Sequence, residues 1–426
     1  MLDFVLIIVL LLLVLAMGMP VAFSLCTTSI LLMGIYGLPM KIAAATVFSS
    51  FDSFVILSVP LFILMSQVLL DGRIGNDLFE VMNTWVRHLP GGLAIATILA
   101  CAFFAAITGS GAATAATIGM VAYPAMVDRG YDKSFTLGLL AAGGTLGILI
   151  PPSVPMVLYG SVTEESVGKL FIAGVVPGLL LAFLFIVMAV FISARGKFTP
   201  MPKASWKERI AITRKNIFGI LLPFIIVGGI YSGLFTPTEA AAVGLTYSLF
   251  VTLVVYKTLT PSQLPGICLK SIPTSCMIAM VIGGALLFGR VLTMLRIPQM
   301  LTEFVISNQF SPIIFIIAMN VLMMILGCIL ETVSIILLTM PLVTPILHAL
   351  GIDPIWYGVI VTVNMTLALI TPPVGMNLYV IKGLREDISM KNVIQGVIPF
   401  IVLMLVFLVL IIVFPSLSLY LPSVMQ

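Results

Sequence analysis

The sequence predicts an all-α polytopic membrane protein made of two inverted repeats, each of about five spans plus one re-entrant helical hairpin. Three observations predict it. Of the 426 residues, 61% are hydrophobic and only 8% are charged, where soluble domains carry about 25% charged residues. Apolar segments of spanning length follow one another along the whole chain, and the two halves carry the same proline and glycine punctuation in the same order. An enzyme is disfavoured, because His88 and His348 lie near segment ends with no His or Cys partner at ligand spacing, and no Ser-His-Asp pattern can be assembled. Cys26, Cys101, Cys268, Cys276 and Cys328 all fall in apolar segments without a C-x-x-C pair. They are expected to be inert core thiols, in neither a disulfide nor a metal site.

A spanning helix needs about 20 apolar residues at about 1.5 Å each. The run from Leu2 to Tyr36 is too long for one helix, and Gly18-Met19-Pro20 breaks it into two spans. Asp3 and the lack of a basic n-region predict a retained first helix rather than a cleaved signal peptide. Ile42 to Leu70 exceeds a straight span and carries Ser49, Ser50, Asp52, Ser53 and Ser58, so it is expected to be tilted or irregular. In the polar stretch that follows, Leu78, Phe79, Met82, Trp85 and Val86 recur at helical spacing, which predicts an amphipathic interfacial helix.

Residues 92–127 then form two apolar arms too short to span, joined by ITGSGAATAATIG, Ile107 to Gly119. Small polar residues in mid-membrane are tolerated only where protein or a polar cavity surrounds them. A re-entrant hairpin with its tip at Ser110 satisfies that condition. Residues 135–160 are interrupted by glycines and by IPPSVP, and two adjacent prolines predict a helix broken near mid-membrane. One more span closes the first half at residue 194. Residues 195–215 carry seven basic residues and are read as the hydrophilic linker between halves. The second half, 216–426, repeats the pattern, with a hairpin over 311–348, a broken helix over 355–380 around TPPVGMN, and a last span from Val393.

Duplication follows from the register. Pro151-Pro152 and Pro372-Pro373 stand 221 positions apart, and Pro90 with Pro312 and Gly174-x-x-Pro177 with Gly396-x-x-Pro399 keep nearly the same offset. Ser110 then falls opposite Glu331, which puts the second tip at Gly327 to Ser334. An odd number of crossings per half inverts one half relative to the other, the design of secondary transporters. With a cytoplasmic linker, 16 Lys and Arg residues face the cytoplasm and 4 face outward, as the positive-inside rule requires.

With its GSGAATAATIG tip, the paired breaks IPPSVP and TPPVGMNLY, and its length, the sequence resembles, over essentially its whole extent, the large membrane subunit of the TRAP (tripartite ATP-independent periplasmic) transporters. The resemblance implies an elevator mechanism, coupling to a sodium gradient, and uptake of an organic acid brought by a periplasmic substrate-binding protein across the bacterial inner membrane. It also implies a small membrane subunit of about four helices, here a separate chain because the sequence starts directly on its first span. No nucleic-acid partner is expected. C4-dicarboxylates, keto acids and sialic acid all suit the family, with a loose leaning toward sialic acid. The resemblance assigns one sodium site to the first tip, Thr108, Gly109, Ser110 and Gly111, facing Thr145, Pro151, Pro152 and Ser153. A second is assigned to Gly327, Glu331 and Thr332, facing Thr371, Pro372, Gly375 and Asn377. The anion would sit between the tips, where helix N-termini favour a carboxylate.

Blander readings stand beside these. Glycine-alanine runs also serve close helix packing, and serine or threonine hydroxyls often bond only to the preceding turn. Glu331, an intramembrane carboxylate, either serves the site or caps the second hairpin arm. Asp52 is either a third cation ligand or part of an unwound interface, and Arg290 either pairs with a substrate carboxylate or snorkels outward. A stand-alone sodium- or proton-coupled dicarboxylate carrier is the alternative function; it would work without a binding protein. A channel suits paired hairpins in inverted halves less well.

Overall fold

The computed structural model describes residues 2–194, 201–328 and 330–424, with side chains from Phe4 onward. Arg195 and Lys197 of the linker, and Ile329 of the second tip, lie outside the described residues. Those described form helices joined by short turns, with no strand among them. The first half contains α1 (Leu2–Ala16), α2 (Val21–Ile35), α3 (Lys41–Phe51), α4 (Ser58–Asp71), α5 (Ile74–Val86), α6 (Gly92–Thr108), α7 (Gly111–Val127), α8 (Lys133–Leu149), α9 (Val154–Thr163) and α10 (Val167–Ala194). Thereafter come α11 (Trp206–Lys215), α12 (Ile217–Tyr231), α13 (Pro237–Phe250) with a π-helical turn at Val251–Val255, and α14 (Leu264–Met294). The chain ends with α15 (Ile297–Ser307), α16 (Pro312–Gly327), α17 (Thr332–Ala349), α18 (Pro354–Ala368), α19 (Met376–Lys382), α20 (Met390–Val413) and α21 (Ser416–Val424).

Among the described residues, six helical stretches are long and apolar enough to cross a membrane, or up to eight if each of two bent pairs counts as one span. Local chemistry sets many of the ends. Pro20 precedes α2 in an extended conformation, after Gly18 at φ +80°. Asp132 caps α8 by accepting from the Phe135 amide at 2.7 Å, and Asp353 caps α18 by accepting from the Trp356 amide at 2.9 Å. These two aspartates also stand 221 positions apart, a repeated signal that the proline register overlooks.

The broken helix α8–α9 is the hub. It is apolar all round, as a helix enclosed by protein must be, and its spanning window is wholly buried. Around α8 pack α6, α7, α10, α18 and α20. Where α8 meets α20 the backbones touch: a Cβ on Gly138 would collide with the carbonyl of Gly396, and one on Gly396 with the carbonyl of Ser134. Small residues permit that approach, the usual device for helix packing in lipid. A second body gathers on α14, which packs on α2, α3 and α4, while α13 packs on α4.

The segment from Ile42 to Leu70 is irregular, as its length required: it is two helices, α3 and α4, separated by a turn. Two other expectations need refinement. The linker is hydrophilic but part of it is an ordered helix: Ser205 caps α11, which is bent 62° from α12 and lies against α5. Trp85 donates from its ring nitrogen to Thr213 at 2.9 Å, Arg87 pairs with Glu208 at 2.9 Å, and the Arg209 guanidinium sits 5.5 Å from the Trp85 ring and 5.4 Å from that of Trp206. Finally, Cys101 is buried, but Cys268 and Cys276 are exposed on α14. A spanning helix can turn apolar side chains to lipid, so apolar context does not imply burial within the chain.

Gly138→Val will force α8 and α20 apart, at about 1–3 kcal/mol for overpacking. Thermal unfolding of the purified protein in detergent is expected to show a lowered midpoint, whereas Gly228→Ala in the interior of α12, which meets nothing within 4 Å, should not lower it.

Candidate functional site

The first tip closes on itself. Helix α6 ends because Gly109 takes φ +61°, and its amide bonds back to the Ala105 carbonyl at 3.0 Å. Ser110 is extended and caps α7, its hydroxyl accepting from the Ala113 amide at 3.4 Å. Thr114 donates its hydroxyl proton to the Ser110 carbonyl at 2.8 Å and lies 3.1 Å from the Thr108 hydroxyl. A Cβ on Gly109 would sit 3.3 Å from the carbonyl carbon of Pro152, so the tip abuts the break between α8 and α9. Beside that break, Thr145 spends its hydroxyl proton on the Ala142 carbonyl at 2.6 Å, while the buried Ser153 hydroxyl has no partner among the described residues.

The second tip is looser. Glu331 occupies the cap position of α17, yet its half-buried carboxylate makes no capping bond, so it leaves the α17 amides uncapped. Thr332 is buried at the start of α17, and Gly327 packs against Ala368. Facing them, Thr371 donates to the Leu367 carbonyl at 2.8 Å, and the Pro372 carbonyl lies 3.7 Å from the Cys328 sulfur. Both proline pairs, Pro151-Pro152 and Pro372-Pro373, are joined by cis peptides.

The two tips share one cavity. Thr108 to Ala113 of the first, and Glu331, Thr332 and Val333 of the second, line a space of about 220 Å³. Its opposite wall comes from Ser66 and Gln67 of α4 and Thr274 and Ile278 of α14. Ser66 donates its hydroxyl proton to the Thr108 carbonyl at 2.8 Å. A neighbouring space of about 220 Å³ opens behind the second tip, between Gly327, Glu331 and Thr332 on one side and Ala368, Val374 and Met376 on the other.

Asn377 lies at the first tip rather than facing the second, where the resemblance assigns it. Gly375, at φ +47°, starts α19, and the Asn377 amide folds back onto the Leu369 carbonyl at 3.0 Å. Helix α19 thereby packs on α7 and α8, and the Asn377 side chain enters the first site, donating to the Ala141 carbonyl at 3.2 Å. Among the described residues its buried Oδ1 has no partner, and it lies 3.6 Å from where a Cβ of Gly111 would be. The Gly144 carbonyl lies 3.2 Å from that same point. Neutral oxygens therefore gather at the first tip, a donor set that suits hard cations.

Asp52 stands apart, exposed at the end of α3 and lining neither hairpin cavity. The turn between α3 and α4 carries it away from the tips. A buried pair went unnoticed in the sequence: Asn364 of α18 donates to Asn320 of α16, at 2.7 Å to the side chain and 2.9 Å to the backbone carbonyl. Two asparagines in apolar helices were the available signal.

Residues 8–417 match the family described as Tripartite ATP-independent periplasmic transporter, DctM component. The chain belongs to that family. It is 42% identical, over 89% of each chain, to the C4-dicarboxylate TRAP transporter large permease protein of Pseudomonas aeruginosa. To the sialic acid TRAP transporter large permease protein of Vibrio cholerae it is 36% identical, over 96% of this chain and 95% of the other. The permease also shares its fold with the YdaH transporter of Alcanivorax borkumensis, with a TM-score of 0.63 over 88% of each chain at 14% identity.

Gly109→Ala is the sharpest structural probe of the tip, since it adds a left-handed alanine against the Pro152 backbone at a cost of about 1–3 kcal/mol. Faster amide exchange of the permease confined to residues 105–115 is the expected result, read by hydrogen-exchange mass spectrometry.

Proposed function

We propose that the permease is the large membrane subunit of a sodium-coupled, binding-protein-dependent importer of an organic acid anion, acting in the bacterial inner membrane with a small four-helix partner. The observation that carries this reading is the shared cavity: both tips line it, and the Asn377 oxygen and Ser153 hydroxyl, each buried and without a hydrogen-bond partner among the described residues, adjoin the first tip. Sodium is the co-transported ion. Carbonyls around Gly111 and Gly144, with Asn377 Oδ1 and Ser153, would hold it at the first tip; Glu331, Thr332 and Thr371 are the candidate oxygens at the second. A bound cation offsets the cost of bringing a carboxylate into a low-dielectric space. The uncapped amides at the start of α17 and the hydroxyl-rich first tip offer donors to that carboxylate.

The two halves, 1–194 and 216–426, act as inverted repeats whose hairpins and broken helices move as one body in elevator fashion. Helices α4 and α14 belong to the static body, and the Ser66 to Thr108 hydrogen bond joins the two in the conformation seen here. A C4-dicarboxylate is the first substrate to test, on the 42% identity to a C4-dicarboxylate permease. A sialic acid stands second.

In vesicles reconstituted with the small subunit and binding protein, labelled succinate or N-acetylneuraminate should accumulate only while a sodium gradient is maintained; uptake that survives its collapse would remove the coupling. Asn377→Leu should abolish sodium-driven uptake, with the binding protein's own affinity unchanged. Ser153→Ala separates ion binding from folding. Deleting an unpaired buried hydroxyl costs little stability, so the melting midpoint in potassium should hold. The extra stabilisation by sodium, about 2.7 kcal/mol at a hundredfold excess over Kd, should shrink.

A further inference from the structure

Helix α14 passes two cavities. Thr274 and Ile278 line the space between the hairpin tips, while Leu286, Gly289, Arg290 and Thr293 line a second crevice nearer the other end of the helix. From residue 276 to residue 290 is about 20 Å along the axis at 1.5 Å per residue. This crevice is the larger, about 720 Å³. Thr46, Ser49 and Ser50 of α3 form its wall beside α14, and Glu164, which ends α9, and Pro341 of α17 face them.

The polar groups divide by role. Ser49 gives its hydroxyl proton to the Thr46 carbonyl at 3.0 Å, Ser50 to that of Val47 at 2.6 Å, and Thr293 to that of Gly289 at 2.8 Å. Arg290, exposed into the space, brings the guanidinium with its fork of N–H donors. Glu164 is the opposing charge, and among the described residues the two make no ion pair within 4.0 Å. Arg290 and Glu164 also lie on opposite sides of the division between the static and moving bodies proposed above.

We propose that this crevice is an outward-side anion-capture site, in which Arg290 binds the carboxylate of an incoming organic acid once the moving body has carried the hairpin tips toward it. The proposal rests on the elevator reading. With the tips near Thr274, as here, Glu164 offsets the Arg290 charge. An outward travel of about 20 Å along α14 would bring the tips level with Arg290 and take Glu164 beyond it, leaving the guanidinium uncompensated beside the arriving anion. The return stroke restores Glu164 and removes the attraction. Affinity for the anion is then higher on the outer side than on the inner side, with no change in the tips themselves.

The test reads the crevice potential separately from transport. Ser49→Cys is placed in the full-length permease with its native cysteines replaced, held in membranes with the small subunit. Its labelling rate by anionic 2-sulfonatoethyl methanethiosulfonate is divided by that for the cationic 2-trimethylammonioethyl reagent. Arg290→Gln should lower this ratio at least about threefold, the effect of removing one unit charge nearby in partly screened solvent. Arg290→Lys should keep it, and Glu164→Gln should raise it. Millimolar succinate should slow labelling in the Glu164→Gln protein and not in Arg290→Gln. An unchanged ratio in Arg290→Gln, or a lysine variant indistinguishable from glutamine, overturns the proposal. If instead the ratios shift as stated but no variant shows sodium-driven uptake, it is the transport reading that falls.

Discussion

The constraint on which the rest depends is that backbone polar groups have no water to bond with in mid-membrane, so every interruption of a helix there must be closed by protein. This chain interrupts its helices four times between the tips and the proline pairs. Each break is closed by a short return bond: Gly109 to Ala105, Ile150 to Leu146, Leu330 to Leu326 and Asn377 to Leu369. The groups left over are carbonyls and hydroxyls, and the breaks abut one another, so the leftovers converge. A cavity rimmed by both tips, with hydroxyl and backbone oxygens on one side and Glu331 on the other, is the consequence of bringing the broken helices together.

Packing then mixes what the repeat separates. The two halves supply equivalent pieces, down to the aspartate caps Asp132 and Asp353, yet α19 of the second half lies on α7 and α8 of the first. Asn377 therefore serves the first tip. Tyr159 of α9 likewise donates to the Pro354 carbonyl at 2.6 Å, and Gly138 meets Gly396 across α8 and α20. Such contacts tie both hairpins to a single buried hub, on which they can keep their relation to each other while α4 and α14 form the facing wall.

Much of this was legible because glycine and proline act locally. Gly109 and the proline pairs interrupt helices through their own backbone preferences, and Gly375 starts one, so the arms over 92–127 and the break near residue 150 can be read from residue order alone. The amphipathic helix α5 announces itself by its apolar period. Helix α11 did not: its basic residues dominate its composition, and the contacts that order it, Arg209 against the rings of Trp206 and of Trp85, reach across more than a hundred residues of sequence to the latter. The exposure of Cys268 and Cys276 escaped for another reason. Hydropathy reports preference for an apolar environment, and lipid satisfies it as well as protein does.

By itself, then, the sequence determined that the chain is a helical membrane protein, where its helices break at the tips and the proline pairs, and which small residues occupy the tips, because these follow from transfer energy and from backbone geometry at single residues. Only the tertiary structure decided which oxygens share a space. It moved Asn377 to the first tip, left Asp52 outside, showed Glu331 at a cap position without a capping bond, and set Arg290 opposite Glu164. Side-chain direction after a break depends on how one helix folds back over another, and no local signal encodes that angle.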